Sequence, residues 1–496
     1  MYFCTSFSNI NVLKSNKAIT AALSELYEQW SGETPTKVVK LAQSGSNRVY
    51  YRLSSTTRSA IGTHSPDKKE NKAFLQFTKH FWNKGLCVPE LYLVAEEKGI
   101  YIQQDLGDTA LYQLLPAEGK AFSEDLVGLY KKIIRHLTLI QIKGAEGIDY
   151  SVCYPRQAFD RQSMLWDLHY FKNFFLKLAD IPFDEQALED DFERFIDYLL
   201  QADCSHFMFR DFQSRNIMVL DNEPYFIDYQ GGRKGALQYD LASLLFQAKG
   251  NIPHNIREQL LDYYLDQVEL MLRVDRKTFK SYYYGYVLIR CLQAMGAYGF
   301  RGLFERKEHF IASIPYAMKN VSWWLENVQI PVEMPELRKC LREMVKSKQF
   351  EPYDKTRGAQ SPLVVKVTSF SYKKTSYPKD TTENGGGFAF DCRAIENPGR
   401  YDEYKKLTGR DKPVIDFLKQ QETMTDFLQN TFALVDASVE NYIERGFEHL
   451  SVNFGCTGGQ HRSVYSADAL AKHLTDKYGV KVSLEHIEQE KKNWFN

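Results

Sequence analysis

The chain has 496 residues, of which 44% are hydrophobic and 25% charged, a balance typical of a globular protein with more than one domain. Its 63 Lys and Arg offset 63 Asp and Glu, so bulk charge provides no attraction to nucleic acid or to an anionic membrane. The 8 Cys form no Cys-x-x-Cys pair, and no uninterrupted apolar run reaches about 18 residues. These features argue against a disulfide framework, a zinc site and a membrane span, and favour a cytoplasmic protein.

The first hundred or so residues carry strand signals after one helical segment at 17–31. Strands are expected at Val38–Leu41, Val49–Leu53, Leu91–Glu96 and Ile100–Gln104, and a helix at Glu70–Trp82. The loop between the first two strands contains Ser44, Gly45, Ser46 and Asn47. Small residues let backbone N–H groups approach closely, so a loop of this kind can lie over nucleotide phosphates.

Helical spacing dominates after residue 105. Apolar residues recur at intervals of three and four over 122–143, 164–178 and 192–200, and the aromatic stretch 281–303 is expected to lie in a core. A small strand-rich lobe followed by a larger helical lobe is therefore predicted.

One motif in the helical part carries specific chemistry. Asp211 precedes Asn216 by five positions, and Tyr225-Phe226-Ile227 forms a short apolar strand that ends on Asp228. Phosphoryl transfer from ATP needs a carboxylate to orient the acceptor hydroxyl and oxygen ligands to hold Mg²⁺ on the phosphates. The order and spacing predict Asp211 as the catalytic base, with Asn216 and Asp228 as metal ligands.

The residues around this motif extend the likeness. Arg-Asp-Phe-Gln-Ser-Arg-Asn-Ile-Met from Arg210, Ile-Asp-Tyr-Gln-Gly from Ile227 and the segment Tyr239–Leu245 resemble the aminoglycoside phosphotransferase family. Within it, residues of about 20–330 are most similar to the anomeric amino-sugar kinases of the AmgK type, which phosphorylate N-acetylmuramate and N-acetylglucosamine at C1. The resemblance implies an α+β protein-kinase-like fold, ATP and Mg as cofactors, an amino-sugar substrate, and a buried supporting role for Asp240.

Three further expectations follow from the resemblance. The segment with Gln104 and Leu106 would be the hinge whose backbone contacts adenine. Trp166 and Asp167 would contact the sugar by stacking and by accepting hydroxyl hydrogen bonds, although an ordinary amphipathic helix explains them equally well. The strand over 58–66 should carry a Lys for the nucleotide phosphates but has none, which leaves that contact unassigned.

The composition changes after the kinase-like part. Residues 346–362 are polar, contain two Pro and are predicted to form a linker. The kinase-like domain is then 1–345, with a small lobe of about 1–105 and a large lobe of about 106–345. A smaller α/β domain is expected at 363–496.

The second domain has a strand, loop and helix that together predict an anion site. A strand at Leu450–Phe454 leads into a loop, and a helix follows to about Tyr478. Backbone N–H groups, a helix N-terminus and an arginine fork can cradle an anion. The predicted site residues are Cys456, Thr457, Gly458, Gly459, His461, Arg462 and Ser463, joined by Asp391 and Arg393 near the end of another strand.

Two families share a loop of this kind, the Cys-dependent phosphatases and the C-terminal domain of RapZ, the bacterial RNase adapter. Gly-Cys-Thr-Gly-Gly-x-His-Arg-Ser-Val-Tyr from Gly455 and Thr-Gly-Arg-Asp-Lys-Pro-Val from Thr408 resemble the RapZ domain. That likeness implies binding of a phosphosugar or nucleotide sugar, and of small RNA. Gly399 stands where this family often has His, and 363–496 holds 18 Lys and Arg against 19 Asp and Glu, so RNA binding is not favoured.

Three functional readings stay open on the sequence. The first is an ATP-dependent amino-sugar kinase fused to a domain that senses a phosphosugar or nucleotide sugar. The second is a regulatory, RNase-adapter-like binding protein whose kinase domain is idle, which the missing strand Lys favours. The third concerns the second domain alone, as a phosphatase with Cys456 as nucleophile.

Overall fold

A computed structural model describes residues 16–41, 48–116, 121–347, 349–350, 360–379, 382 and 386–491. The loop predicted to bind phosphate, with Ser44, Gly45, Ser46 and Asn47, lies outside the described residues. The chain divides into two compact units. The first comprises Met1–Phe304 and Tyr316–Val345, and the second comprises Glu305–Pro315 and Lys346–Asn496.

The first unit begins with a five-stranded antiparallel sheet in the order β1-β2-β3-β5-β4. Its strands are β1 (Lys37–Lys40), β2 (Val49–Ser54), β3 (Ser59–His64), β4 (Leu91–Ala95) and β5 (Ile100–Gln104). Two helices accompany it, α1 (Asn16–Ser31) and α2 (Lys68–Asn83). The apolar face of α1 packs on the sheet, with Leu23 and Tyr27 fully buried against Leu53 and Ile102.

The second part of this unit is helical. Its helices are α3 (Leu111–Leu114), α4 (Glu124–Ile142), α5 (Arg161–Phe171), α6 (Glu185–Leu199), α7 (Leu237–Leu245), α8 (His254–Glu269) and α9 (Arg276–Tyr298), followed after α10 (Glu308–Ile311), which belongs to the second unit, by most of α11 (Ile314–Asn327) and α12 (Pro335–Lys346). The helix predicted over 164–178 ends at Phe171 and continues as a π-helical turn, Lys172–Leu176. Helix α9 packs against both α5 and α7, which places it beside the predicted catalytic segment.

Two short hairpins carry that segment. They are built from β6 (His206–Met208) with β9 (Arg233–Gly235), and from β7 (Ile217–Leu220) with β8 (Glu223–Phe226). Asp211 and Asn216 lie between β6 and β7, and Asp228 follows β8. The chain therefore turns back so that both ends of the motif lie close together.

The second unit contains a four-stranded parallel sheet in the order β11-β12-β10-β13. The strands are β10 (Val364–Ser371), β11 (Gly387–Asp391), β12 (His449–Cys456) and β13 (Lys481–His486). The helices are α13 (Lys412–Lys419), α14 (Glu422–Arg445), α15 (Arg462–Tyr478) and α16 (Ile487–Glu490). The central strands β10 and β12 are almost continuously buried, because helices such as α14 and α15 cover a parallel sheet.

The predicted fold class is confirmed by these elements: a strand-rich small lobe, a helical large lobe and then a smaller α/β domain with a strand–loop–helix. Within the described part of the chain, no helix combines the length and the apolar character needed to cross a membrane.

Candidate active site and anion site

One buried carboxylate fixes the loop that carries Asp211. Asp240 in α7 is fully buried and accepts hydrogen bonds from the backbone N–H of Phe209 at 2.8 Å and of Arg210 at 3.1 Å. The Gln141 side chain donates a third bond at 3.1 Å. Burial raises the pKa of Asp240 to about 7, while these donors favour its charged form. Asp240 thus supports the loop, as the resemblance implied.

The structure brings Asp211, Asn216 and Asp228 together. The Asn216 amide donates to the backbone carbonyl of Asp211 at 2.9 Å and to the Asp228 carboxylate at 3.1 Å. Gln230 donates to the other oxygen of Asp228 at 2.6 Å. The Asp211 side chain is 50% exposed, so a substrate can reach it. Asn216 therefore links the predicted base to the predicted metal ligand.

Two residues of this site have left-handed backbone conformations that side-chain-bearing residues rarely adopt. Arg210, just before Asp211, has φ 80°, and Asp228 has φ 67°. Such conformations store strain, and they cluster at functional sites. They persist here because the neighbouring residues Phe209 and Tyr229 are held firmly.

Tyr229 is the anchor on the Asp228 side. It is fully buried and packs against the rings of Phe74 and Phe81 in α2, with centroid distances of 5.4 and 5.6 Å. Its hydroxyl also lies 2.6 Å from the Thr78 hydroxyl. Helix α2 therefore fixes the position of Asp228 through the residue that follows it.

The electrostatics of Asp228 are those of a carboxylate short of positive charge. Its side chain is accessible to solvent, yet protein atoms surround it, as expected at the bottom of a concave surface. Burial, and then the Asp211 carboxylate, raise the pKa of Asp228 above its ordinary value. A cation bound at this point would relieve that cost.

An arginine lies beside the predicted base. Arg290 of α9 places Nη2 at 3.9 Å from Asp211 Oδ1, and its Nε donates to the Ser243 hydroxyl at 2.9 Å. Gln293 accepts a further hydrogen bond from the same guanidinium. Sequence reasoning missed Arg290 because it lies far along the chain, in a stretch that reads as an aromatic core.

The two predicted sugar contacts, Asp167 and Trp166, have different environments in the structure. Asp167 is only 6% exposed, and its two oxygens accept from the Arg210 guanidinium at 2.5 and 2.6 Å. That bidentate pair, together with the Phe159 ring 4.9 Å from the same guanidinium, gives Asp167 a supporting role next to Asp211. Trp166 is 45% exposed, with the Arg156 guanidinium 5.8 Å from its ring.

The predicted hinge is ordered by hydrogen bonds of its own. The Gln104 N–H donates to the Glu90 carbonyl at 2.8 Å, so this N–H is not free for adenine. Leu106 is buried. Arg52 holds the intervening Asp105 with two bonds of 2.8 and 3.0 Å. Any adenine contact at Gln104 must therefore use another group of the backbone.

In the second unit, the loop after β12 surrounds the thiol of Cys456 and forms hydrogen bonds with it. Cys456 is 3% exposed, and the Gly459 N–H donates to its Sγ at 3.2 Å. The Ser463 hydroxyl, fully buried, lies at the same distance from Sγ. Gly459 has φ 66°, and a Cβ there would meet Glu488 at 2.5 Å, so both the turn and the packing require glycine.

Arg462, the predicted arginine fork of the anion site, is partly engaged by the protein itself. Arg462 is 4% exposed, and its Nη1 donates to the backbone carbonyls of Arg393 at 3.1 Å and of Ile395 at 2.7 Å. Those carbonyls were not foreseeable from the motif, because they belong to a segment about seventy residues earlier. Arg462 is thus partly committed to holding that segment.

A cavity of about 440 Å³ adjoins this arginine. Among the predicted site residues, Thr457, Arg462 and Arg393 line it. The other lining residues are Ala394, Ile395, Glu396, Asn397, Arg400, Gln421 and Thr423. Sequence reasoning did not assign Arg400 to the site; its place directly after Gly399, where the RapZ domain often has His, was the available signal, whereas Gln421 and Thr423 gave none.

The remaining predicted residues of this site are not among the residues that line the cavity. The Asp391 carboxylate accepts from Arg393 at 2.6 and 2.9 Å, and the Arg393 guanidinium lies 4.3 Å from the Tyr372 ring. The His461 ring contacts the Tyr404 carbonyl at 3.0 Å. Neither Cys456 nor Gly458 is among the cavity's lining residues.

The two-lobed first unit, with these carboxylates in its large lobe, defines a kinase-like phosphotransferase domain. Residues 37–275 match the model of the phosphotransferase enzyme family. Residues 363–490 match the model of the RapZ C-terminal domain. The chain therefore joins a phosphotransferase-family domain to a RapZ C-terminal domain, which confirms the two domain families recognised from the motifs.

Curated relatives share only part of the chain. A nucleotide-binding protein of Cereibacter sphaeroides is 40% identical over 136 residues, which cover 27% of this chain and 43% of that protein. A nucleotide-binding protein of Fervidobacterium nodosum is 33% identical over 132 residues, 27% of this chain and 44% of that one. The chain thus spans less than half the length of these relatives.

Solved structures similar to the chain include three kinases. The Plasmodium vivax ethanolamine kinase is 12% identical with a TM-score of 0.45, covering 63% of this chain and 91% of its own. The Cryptosporidium parvum choline kinase is 10% identical with a TM-score of 0.45, covering 66% and 100%. An ADP-bound aminoglycoside phosphotransferase is 14% identical with a TM-score of 0.41, covering 66% and 98%.

The support that Asp240 gives to the loop can be measured without an activity assay. Replacing Asp240 by Ala leaves two buried N–H groups and an amide without their acceptor, so the free energy of unfolding should fall by about 1–3 kcal/mol or more. Hydrogen exchange at Phe209 and Arg210 should accelerate. Asp262→Ala, which removes a half-exposed carboxylate paired with Lys280 at 2.7 Å, is the control and should leave both measurements unchanged. Equal exchange rates in the two variants would contradict the role of Asp240.

Proposed function

We propose that the first unit is an ATP-dependent kinase for an amino sugar, such as N-acetylglucosamine or N-acetylmuramate, with the C1 hydroxyl as the expected acceptor. The proposal further assigns to the second domain the binding of a phosphosugar or nucleotide sugar. The observation that supports the kinase assignment most directly is the meeting of Asp211, Asn216 and Asp228 through the Asn216 amide. This is the arrangement that phosphoryl transfer to a hydroxyl requires.

In this proposal Asp211 is the base. Its accessible carboxylate accepts the proton of the acceptor hydroxyl as that oxygen attacks the γ-phosphorus, and ADP leaves. Asp240 and Asp167 contribute indirectly, because they hold the backbone and the side chain of Arg210. Fixing the base before the acceptor arrives lowers the entropic cost of reaching the transition state.

The donor set around Asp228 fits Mg²⁺. Asp228 and Asn216 would hold it, since Asp228 is an accessible carboxylate whose pKa is raised by burial and by the neighbouring Asp211 carboxylate, an environment that a cation would stabilise. Within the described residues, no cluster of three or more His, Cys, Asp or Glu could hold a metal unaided. That agrees with a metal held jointly by two side chains and nucleotide phosphates, where it would neutralise phosphate charge.

Arg290 supports a neutral or anionic acceptor. The acceptor hydroxyl must lie against Asp211, and the Arg290 guanidinium is 3.9 Å from that carboxylate. A polycationic acceptor would bring ammonium groups next to this cation, which is unfavourable. N-acetylglucosamine is neutral and N-acetylmuramate carries a carboxylate, so both are compatible with the site, whereas aminoglycosides are disfavoured.

The cavity beside Arg462 supports the assignment of the second domain. A volume of about 440 Å³ is within the range of small-molecule sites, and three arginines against one glutamate line it. Arginine recognises phosphate oxygens through paired donors. The relatives named nucleotide-binding proteins agree with a ligand of this class.

The competing readings are less well supported. A phosphatase needs Cys456 exposed to its substrate, yet Cys456 is buried and does not line the cavity. Asp391, the conceivable acid, is already paired with Arg393. An idle kinase domain would explain the missing strand Lys, but it would not explain why Asp211 and Asp228 remain accessible.

An acceptor screen tests the kinase assignment directly. Incubation with ATP and Mg²⁺ should give ADP and a sugar phosphate with N-acetylglucosamine or N-acetylmuramate, and phosphorus NMR should locate the phosphate at C1. Glucosamine and aminoglycosides should be poorer acceptors because they carry ammonium groups. Arg290→Met should reduce the difference in kcat/KM between the N-acetylated sugars and the acceptors that carry ammonium groups, because the repelling guanidinium is removed. Phosphoryl transfer only to aminoglycosides would contradict the proposed acceptor.

Substitution of the proposed base should affect kcat, whereas substitution of the proposed metal ligand should affect the affinity for Mg²⁺·ATP. Asp211→Asn should lower kcat by about 100-fold or more while leaving Mg²⁺·ATP affinity close to that of the native protein. Asp228→Asn should instead weaken Mg²⁺·ATP binding, because a metal-ligand carboxylate is lost. Steady-state kinetics and isothermal titration separate the two, and undiminished turnover in Asp211→Asn would sink its assignment as base.

The cavity assignment predicts a charge-dependent affinity. In the full chain, Arg400→Gln should weaken binding of glucosamine-6-phosphate or UDP-N-acetylglucosamine roughly 10-fold or more, since a contact with an ionised phosphate is lost. Lys472→Gln, on the exposed face of α15 and paired with Asp476 at 2.6 Å, is the matched control.

Two outcomes would contradict this assignment. Titration that finds identical affinity in Arg400→Gln and Lys472→Gln would remove the cavity from consideration. Phosphate release by the native protein that disappears in Cys456→Ser would instead establish the phosphatase reading.

A further inference from the structure

A kinase is expected to carry a cation for the nucleotide phosphates on strand β3, and this chain has none there. Transfer from ATP uses a cation on the nucleotide phosphates that is held by a glutamate of the neighbouring helix. Strand β3 reads Ser-Ala-Ile-Gly-Thr-His and has no Lys or Arg. Burial lowers the pKa of His64, so its imidazole is neutral at pH 7 and cannot replace the lysine.

A cation is present one strand away. Arg48 immediately precedes β2, and the register pairs Val49 with His64 at the end of β3. Because adjacent strands lie only about 4.8 Å apart, a long side chain at the start of β2 can reach the space next to the end of β3. Arg48 is therefore placed to serve the same region as a residue at the end of β3.

Arg48 also has the helical glutamate as its partner. Its Nη2 lies 3.8 Å from Glu70 Oε1 and donates to the Glu70 carbonyl at 3.3 Å. Glu70 lies in the first turn of α2, whose N-terminus is capped by Asp67. The guanidinium also lies 5.0 Å from the ring centre of Phe74, one turn further along the helix. Helix α2 thus fixes the arginine from two sides.

The pair lies within electrostatic reach of the metal-binding carboxylate. Burial and Asp211 raise the pKa of Asp228, and the Arg48 guanidinium opposes that increase. Phe74, which contacts Arg48, also stacks on Tyr229 next to Asp228. Arg48, Glu70 and Asp228 therefore border one region of the first unit, where the phosphates of a nucleotide bound to Asp228 would lie.

We propose that Arg48, whose side chain is only 2% exposed, is the cation that supplies positive charge at the phosphates of the bound nucleotide from beneath the surface, and that Glu70 positions it. The function of the missing β3 lysine is then provided from the start of β2. This assignment rests on the proposed ATP-dependent function. It also removes the main sequence argument for an idle kinase domain, since the cation is present at a different position.

The test compares nucleotides that differ only in phosphate. In the full chain, Arg48→Met should weaken binding of ATP and ADP roughly 10- to 100-fold while leaving adenosine affinity unchanged, because only the positive charge next to the phosphates is lost. Arg48→Lys should recover part of the ATP affinity. A purely structural role would lower the affinity for adenosine and ATP alike, so the ratio between them separates the two roles.

Two further variants complete the experiment. Glu70→Gln should reduce ATP affinity less than Arg48→Met and provides a readout if Arg48→Met does not fold. Arg58→Met, in the β2–β3 turn where the guanidinium lies 5.6 Å from the Trp30 ring, removes an arginine from the same lobe and should change nothing.

The outcomes distinguish this inference from the proposed function. ATP binding that depends on Arg48, in a protein that phosphorylates no acceptor, would support the inference and overturn the kinase proposal. Phosphoryl transfer with native ATP affinity in Arg48→Met and Glu70→Gln would overturn the inference alone. A native protein that binds no nucleotide would overturn both.

Discussion

The bonds that the buried Asp240 carboxylate accepts from Phe209 and Arg210 determine where Asp211 lies. A carboxylate with no exposed surface is costly to ionise, and burial accordingly raises the pKa of Asp240 to about 7. The cost is offset only if its acceptors are used fully, and the two backbone N–H groups together with the Gln141 amide use them. Arg210 adds a second constraint through its side chain, which Asp167 holds with two bonds. The loop is thus fixed through both backbone and side chain before any substrate binds.

Helix α2 fixes the positions of Asp228 and Arg48, the two residues proposed to serve the bound nucleotide. Its residues Phe74 and Phe81 pack on Tyr229 and so locate Asp228, while Glu70 and Phe74 locate Arg48. One helix therefore sets the distance between Asp228, the proposed metal ligand, and Arg48. A shift of α2 would displace both groups at once, so the proposed metal site and the proposed phosphate site would be coupled through packing rather than through a direct bond.

The sequence predicted those parts of the site whose chemistry is encoded locally. Asp211, Asn216 and Asp228 were identifiable because a fixed spacing along a loop and a strand places their donors together. Asp167 shows the limit of such reasoning: its helix suggested a sugar contact, but the fold pairs it with Arg210, which lies 43 positions away. Arg462 likewise has partners in a distant segment, and its motif gave no indication that backbone carbonyls would occupy part of its guanidinium. The element types were predictable from periodicity, whereas the π-helical turn after Phe171 was not, because it arises from packing.

The same limit applies to the absence of a lysine on β3, which under the proposed role of Arg48 is no sign of inactivity. A motif records which residue type stands at a position, but the electrostatic requirement concerns a point in space. In this fold the buried Arg48 meets Glu70 of the adjoining helix from the neighbouring strand. Arg48 only partly compensates Asp228, whose pKa stays raised by burial and by Asp211. Two carboxylates facing the same space remain short of positive charge, and the metal ion that accompanies a bound nucleotide would supply it. An idle domain would gain stability by replacing either carboxylate with a neutral residue, so the accessible pair is better explained by catalysis than by binding alone.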